Sequence, residues 1–323
     1  MSRRLLYLLL RSMLAGSFLV SVVASCSSSS GNLTLFYQPQ SSIERYDGHA
    51  WSPNGQWVAS ESTDTTKLSL FHANGHLANQ LRLGCDLGSG EEDFSWLTDG
   101  RLSCLTGNEP PTLSLLTLTA EGKISKESSI IVSRPSDSVM YAMQWNPHHF
   151  WLATIADQIP GEISPTLYIT DLQGHNLISP MDLTVQDGEE LSWSSDGTML
   201  AIVDHNGDIH LWKVQQHKTG QLMLTPLRLL KAETTTGEII AWSPSGRWLV
   251  CRHGTYQGED YLFLLATDGS GKQVKLTSSY TDGQLYDPAW SPDGKQLIVS
   301  RVSDGALMSL NIAQLLKDKG VKP

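Results

Sequence analysis

The chain has 323 residues, of which 40% are hydrophobic, and a formal net charge of −10 at pH 7. That length would by itself allow roughly two or three domains. Residues 1–25 hold three of the 23 basic residues and no acid, so the remainder has 20 basic against 33 acidic residues, a balance of −13. Such an acidic surface disfavours binding to nucleic-acid phosphates and favours solubility or cationic partners.

Residues 1–25 have the features of a bacterial export signal. Arg3 and Arg4 give a positive start, and the apolar run Met13–Ala24 is shorter than the roughly 20 residues that span a bilayer. The run ends in Val-Ala-Ser-Cys26, which resembles a lipobox and implies cleavage before Cys26 and lipidation of its thiol. An uncleaved anchor, an ordinary secretory signal and twin-arginine export remain alternatives.

Residues 26–32 are rich in serine and predict a flexible tether. The next segment, Leu33–Tyr37, reads as a strand without a nearby hairpin partner. We expect it to complete the last sheet of the fold, because this pairing removes an open sheet edge. Residues 315–323 read as a charged C-terminal tail, and a short helix after Ile312 is the alternative.

Between these ends, a tryptophan followed by a turn recurs six times, with intervals of 45, 49, 48, 49 and 48 residues (51, 96, 145, 193, 242, 290). An even period of this length indicates a repeat architecture. The copies are Trp51-Ser-Pro-Asn-Gly, Trp96-Leu-Thr-Asp-Gly, Trp145-Asn-Pro-His-His, Trp193-Ser-Ser-Asp-Gly, Trp242-Ser-Pro-Ser-Gly and Trp290-Ser-Pro-Asp-Gly.

Each copy joins two apolar runs and predicts a β-hairpin. Proline presets φ, Asp or Asn tolerates the turn conformations, and glycine supplies a positive φ. The tryptophan suits a slot between packed sheets, where its indole N–H needs a partner. The third copy has His149 in place of glycine, so its turn should be strained or have another shape.

A third apolar strand and a glycine-containing turn follow each hairpin, and a fourth strand comes next, as in Leu77–Leu83 or Lys272–Thr277. Four strands per period and six periods predict an all-β fold, a six-bladed β-propeller of four-stranded antiparallel blades over residues 33–314. The connection between the second and third strands of the third blade, Asp157–Pro165, is the longest of its kind. It is either a contact element or a length variation without a role.

The repeat Trp-Ser-Pro-Asp-Gly-x-x-Leu resembles the WD-repeat-like propeller repeats of the TolB type, and Asp208–Trp212 resembles the third strand of a WD repeat. The resemblance covers nearly all of the chain after the export signal. It implies a six-bladed propeller used for protein contacts in an envelope compartment. TolB proteins carry a further N-terminal α/β domain for which this sequence has no room, so the Tol-complex role is not carried over.

The most informative variation lies just before each tryptophan. First strands of a propeller are innermost, so their starts converge at one mouth of the channel. We expect a negative, tyrosine-flanked opening that suits a cationic peptide segment or a cation, although solvated strand ends would also be polar. The candidate residues are Asp47, Glu92, Asp93, Tyr141, Glu189, Glu190, Glu238, Tyr286 and Asp287.

The remaining cysteines and histidines carry weaker signals. Cys85 and Cys104 flank the same predicted hairpin and could form a disulfide in an exported protein, whereas three buried thiols are the alternative. The His72/His76 and His148/His149 pairs have no third ligand at a fixed spacing, so we expect no metal site there. A Gly-x-Ser-x-Gly elbow and a phosphate-binding glycine loop before a helix are absent from the sequence.

These features together predict a non-enzymatic, monomeric protein-binding scaffold without a cofactor. We expect it to be exported and held by lipidated Cys26 on the outer side of the cytoplasmic membrane, in the periplasm or at the cell surface. Its partners would be envelope proteins that contact the loops and the channel mouth. The alternatives are a glycan-active or other propeller hydrolase with channel carboxylates, and a sensor for a small ligand or cation.

Overall fold

The computed structural model describes residues 32–41, 44–62, 67–81, 94–108, 111–132, 140–157, 165–183, 190–204, 207–231, 241–254 and 259–321. Strands in these ranges form six four-stranded antiparallel sheets, the blades of the predicted propeller. The first strands of neighbouring blades contact each other around a closed ring, so they are the innermost strands. No helix within these ranges is long and apolar enough to cross a membrane.

The strand order within blades 1–5 follows the chain, from the inner strand outwards. Blade 1 contains β2 Tyr46–Trp51, β3 Trp57–Ser62, β4 Lys67–His72 and β5 Leu77–Leu81. Blade 2 contains β6 Phe94–Trp96, β7 Leu102–Asn108, β8 Pro111–Leu118 and β9 Ile124–Ile131. Blade 3 contains β10 Met140–Trp145, β11 Leu152–Asp157, β12 Pro165–Thr170 and β13 Met181–Asp182. Blade 4 contains β14 Glu190–Trp193, β15 Met199–Val203, β16 Ile209–Gln216 and β17 Leu222–Leu230. Blade 5 contains β18 Ala241–Trp242, β19 Trp248–His253, β20 Tyr261–Ala266 and β21 Gln273–Lys275. Blade 6 contains β22 Leu285–Trp290, β23 Gln296–Arg301, β24 Leu307–Asn311 and, as its outer strand, β1 Leu33–Tyr37.

Because the strands alternate in direction, their connections divide between two faces of the ring. The turns after each repeated tryptophan and the third-to-fourth-strand turns emerge on one face, which we call the turn face. The second-to-third-strand connections and the links between blades emerge on the other, the loop face. The channel mouth predicted to bind partners therefore opens on the loop face.

The repeated turn is built around its serine hydroxyl. Ser291 Oγ accepts the backbone N–H of Gln296 at 3.0 Å and donates to Asp293 Oδ1 at 2.8 Å, and Asp293 in turn accepts the N–H of Lys295 at 3.1 Å. The Ser52 and Ser194 turns repeat these bonds. Gly294 closes the turn with a φ of 69°, as the sequence predicted.

The third copy of the turn has another shape rather than a strained one. His149, which stands where the other copies have glycine, does not adopt a positive φ. Asn146 replaces the serine: its Oδ1 accepts the backbone N–H groups of His148 and His149 at 2.9 and 3.0 Å. Its amide donates to Gly197 O of blade 4 at 2.9 Å, so one side chain holds the turn and links two blades.

The repeated tryptophans lie between blades, as predicted. In blades 2, 4 and 6 the indole N–H donates to the backbone carbonyl that precedes the tryptophan of the preceding blade. These bonds join Trp96 to Ala50 at 3.0 Å, Trp193 to Gln144 at 3.2 Å and Trp290 to Ala241 at 3.1 Å. The tryptophan therefore fills the slot between sheets and also fixes the register between neighbouring inner strands.

The ring closes through β1, which pairs with β24 in antiparallel register from Leu33↔Leu310 to Tyr37↔Leu307. This confirms the predicted closure by the N-terminal strand. Tyr37 packs on Phe71 of blade 1 with ring centroids 4.8 Å apart, and Phe36 lies 6.1 Å from the same ring. Gly75 approaches so closely that a Cβ there would lie 2.1 Å from Phe36 O.

Deeper in the seam between blades 6 and 1, His49 of β2 lies between two serines. Its Nε2 is 2.7 Å from Ser300 Oγ, and its Nδ1 is 2.8 Å from Ser60 Oγ. Because the Ser300 hydroxyl donates to Tyr46 O, the imidazole N–H donates to Ser300 and the other nitrogen accepts from Ser60. Burial lowers the pKa of His49 to about 3, so the ring is neutral in the folded protein.

Helix α1 covers Ser279–Asp282 and helix α2 covers Ile312–Asp318. The segment described from sequence as a charged tail thus begins within α2, which buries Leu315 and Leu316 against the core of blades 5 and 6. Asn311 caps α2 by accepting the N–H of Gln314 at 3.0 Å. The helix keeps the last turn-face connection covered.

Cys104 and Cys251 occupy corresponding second strands and are both buried. Cys251 is a free thiol, and burial raises its pKa. Cys104 is disulfide-bonded. Its partner is one of the two cysteines outside the described residues, Cys26 or Cys85, so the pairing with Cys85 stays a prediction.

Replacing Trp242 by alanine should lower the free energy of unfolding by about 3–5 kcal/mol, the usual range for removing a large buried aromatic side chain. Trp242 is 6% exposed in the core between blades 4 and 5, and its indole donates to Gly246 O at 3.1 Å. Trp242→Phe keeps a ring in the slot and should cost less. Urea unfolding measures both, and equal losses for the two variants would contradict the packing role.

His49→Gln should make the protein less sensitive to acid. In the unfolded chain an imidazole binds a proton near pH 6.5, whereas folded His49 does so only near pH 3. The unfolded state therefore binds the extra proton as pH falls below about 6.5, and wild-type stability should drop by on the order of 1–2 kcal/mol by pH 5. Glutamine can bond both serines but does not titrate.

Urea unfolding of wild type, His49→Gln and the exposed-turn control His76→Gln at pH 7.5 and 5 measures this effect. Only His49→Gln should lose part of the pH dependence. An unchanged pH dependence in His49→Gln would contradict a neutral His49 in the folded state.

Candidate functional site at the channel mouth

The described members of the predicted ring of polar residues lie at the loop-face ends of the inner strands. The structure describes it in part, because Glu92, Asp93, Glu189 and Glu238 lie outside the described residues. The backbones of Asp47 and Tyr141 belong to β2 and β10. Glu190, Tyr286 and Asp287 are described with their side chains, in the inner strands of blades 4 and 6.

These three side chains have different environments. Glu190 begins β14 and is half-buried, and its charge adds to burial in raising the pKa of the Cys251 thiol in the next blade. Tyr286 is only 7% exposed, so its ring offers little surface to a ligand. Asp287 is half-buried and lies at the junction with blade 1.

Residues at the same position of the repeat differ in backbone geometry from one blade to another. The pairing of β2, β10 and β22 with their second strands shifts register within two or three residues of the predicted positions, between Asp47 and His49, Met140 and Ala142, and Tyr286 and Ala289. By contrast, β14 pairs regularly from Glu190↔Val203. A bulge re-aims the side chains beside it, so blades 1, 3 and 6 differ from blade 4 at the mouth.

Asp287 is the non-glycine residue with a positive φ, 50°, among the residues that the structure describes. This conformation is costly, and the following Pro288 restricts it further. Asp287 Oδ2 accepts the backbone N–H of Gly48 at 3.1 Å, which joins the inner strands of blades 6 and 1. Strained backbone of this kind is concentrated at functional sites, where the surrounding structure holds it in place.

The polar group beside Asp287 was not predicted from the sequence. His49, Ser60 and Ser300 lie in the same seam, directly behind the mouth. The sequence does distinguish His49: it stands two residues before the repeated tryptophan of blade 1, where the other five copies have apolar residues or proline.

Two loop-face acids outside the inner strands are paired with arginines. Asp260, 3% exposed, binds Arg252 at 2.6 Å, and Asp304 binds Arg301 at 2.7 Å. Although burial opposes it, the hydrogen bonds from Arg301 hold the pKa of Asp304 below its ordinary value. These paired acids add little net charge to the mouth. Within the described ranges, no three His, Cys, Asp or Glu side chains gather as metal ligands would.

No protein-family profile and no curated protein sequence matches the chain. Similar solved structures include the β-propeller domain of Swd1 from Myceliophteria thermophila, with 13% identity and a TM-score of 0.60 over 87% of this chain and 99% of that one. A gluconolactonase from Xanthomonas campestris has 12% identity and a TM-score of 0.59 over 86% and 89%. TolB from Acinetobacter baumannii has 13% identity and a TM-score of 0.49 over 85% and 65%. At these identities the likeness concerns the fold alone, and the chain is similar to known proteins as a six-bladed β-propeller.

Proposed function

We propose that this protein is a non-enzymatic scaffold that binds partner proteins through the loop face and the channel mouth. The observation that carries the proposal is the convergence of six inner strands on a mouth that is rich in acids in sequence. Farther out on this face, Asp260 and Asp304 are paired with arginines, so these two acids add little net negative charge there. A cationic segment of a partner is the complementary ligand.

The proposal includes export and lipid anchoring at Cys26, which rests on the lipobox-like sequence. The position of the N-terminal strand supports this arrangement. Leu33 pairs with Leu310 at the end of β24, and Asn32 donates to Asp318 of α2 at 3.4 Å, so the tether leaves from the turn face. A membrane anchor at that end would direct the loop face away from the bilayer, towards partners in the envelope.

A second candidate is a cation or small-ligand site in the channel, and the strained Asp287 favours it. A hydrolase would use the same location, and one structure with a similar fold is named as a gluconolactonase. Both functions need several carboxylates held close together around the ligand. Calorimetric titration of the wild-type protein with Ca²⁺ separates this candidate from the scaffold, because a scaffold needs no tight cation site.

Neutralising the mouth should weaken partner binding. The triple variant Glu92→Gln, Glu189→Gln, Glu238→Gln removes three charges from the mouth, so the partners that tethered protein captures from its own envelope should fall at least tenfold. The attraction should also weaken with added salt, because the Debye length shrinks from about 10 Å at 0.1 M to about 3 Å at 1 M. Quantitative mass spectrometry of the captured proteins measures both effects.

The matched control removes three charges elsewhere, with Glu121→Gln, Glu127→Gln and Asp318→Asn. These exposed acids lie on the turn face or the outer strand of blade 2. Capture by the control should equal that by wild type. Equal capture by both triple variants would show that the mouth acids do not select the partner.

A further inference from the structure

A cleft opens on the turn face between blades 3 and 4, on the face opposite the channel mouth discussed above. Its volume is about 480 Å³, within the range of ligand-binding clefts. Residues 148–151 of the repeated turn form one wall, and residues 171–177 of the third-to-fourth-strand connection form another. Gln216 and Gly220 of blade 4 complete it.

Two departures from the repeat meet at this cleft. The turn of blade 3 reads His148-His149-Phe150-Trp151 where the last copy reads Asp-Gly-Lys-Gln. The connection that faces it runs over residues 171–180, whereas the corresponding turns span 217–221 in blade 4 and 73–76 in blade 1. The tryptophan at position 151 recurs at 57 in blade 1 and at 248 in blade 5, whereas the two histidines and Phe150 have no counterpart in the other copies.

The walls of the cleft are held in place. Asp171 Oδ1 accepts the N–H groups of Gln173 and His175 at 2.8 and 2.9 Å, which fixes the bend of the connection. Leu177 accepts a backbone bond from Leu222 of blade 4 at 2.7 Å. On the other wall, His148 Nε2 donates to Ser195 O at 2.8 Å. A ligand would therefore meet a preorganised surface, which lowers the entropic cost of binding.

The lining is mostly aromatic and amide, and the Arg101 guanidinium lies 5.8 Å from the centroid of the Phe150 ring. The His149 ring stacks on Trp151 with centroids 4.0 Å apart and an interplanar angle of 17°, while Phe150 is 38% exposed. The exposed amides of Gln173 and Gln216 supply both donors and acceptors. The carboxylate of Asp171 is already used by the connection and by His175 Nδ1 at 3.2 Å.

We propose that this cleft binds a neutral oligosaccharide. Pyranose rings present apolar C–H faces that pack on aromatic rings, and their hydroxyl groups exchange hydrogen bonds with amides and imidazoles. An anionic ligand would require fixed cationic groups; the lining itself holds no lysine or arginine, and Arg101 beside it is paired with Asp99 at 2.8 Å. The cleft includes none of the mouth acids, so a negative result here would leave the proposed scaffold function unaffected.

Calorimetry with maltotriose, cellotriose and chitotriose at pH 7.5 tests the proposal. At least one trisaccharide should bind wild-type protein, and Phe150→Ala and Gln173→Ala should each weaken that binding about tenfold. The matched control is Tyr280→Ala, which removes a 79% exposed ring in α1 on the loop face and should leave the affinity unchanged. Thermal unfolding confirms that each variant is folded.

Absence of binding by all three trisaccharides at millimolar concentration would overturn the proposal. So would an equal loss of affinity in Tyr280→Ala and Phe150→Ala, because the ligand would then bind elsewhere. Binding of a hexaglutamate peptide in preference to every trisaccharide would assign the cleft to acidic partners and would also overturn it.

Discussion

The fold depends on closing the ring, and one strand pair performs the closure. Each blade buries both of its faces against neighbours, so a row of sheets would leave two large apolar faces exposed. Pairing β1 with β24 completes blade 6 and brings Phe36 and Tyr37 onto Phe71 of blade 1. This seam joins residues near the two ends of the chain, and it carries a buried polar group, His49 with its serines, between the blades. Closure therefore combines strand pairing, aromatic packing and hydrogen bonds between the blades.

Most of the fold could be predicted because the repeated residues indicate the length of a blade and the positions of its turns. The evenly spaced tryptophans set the blade period, and the turn residues placed a hairpin after each one. Turn propensities did not reveal the role of the serine hydroxyl, which accepts one backbone N–H and donates to the following Asp or Asn. The third copy shows why this mattered. Asn146 makes different bonds, to the N–H groups two and three residues further on, so losing glycine at position 149 alters the turn without straining it.

The channel mouth was less predictable than the fold, because counting residues back from each tryptophan assumes regular strands. Bulges in β2, β10 and β22 break that assumption near the positions of interest. Tyr286 is buried, and Asp287 has a positive φ and accepts the N–H of Gly48. Sequence identifies which residue types occupy the mouth, but the bulges decide which side chains face the axis.

The two faces of the propeller differ in how freely their connections can vary from one blade to another. On the loop face, variation between blades is expected, because connections there can change length without disturbing the turn chemistry. On the turn face, the turns of blades 1, 4 and 6 share one set of serine-centred hydrogen bonds, whereas the copy in blade 2 has leucine at the serine position. Blade 3 departs further: Asn146 accepts the N–H groups of His148 and His149, while His149 and Phe150 remain at the surface. His148 also helps to hold this turn, because its Nε2 donates to Ser195 O of blade 4. Phe150 remains 38% exposed beside it, and this is the surface of the turn that the proposed ligand would contact.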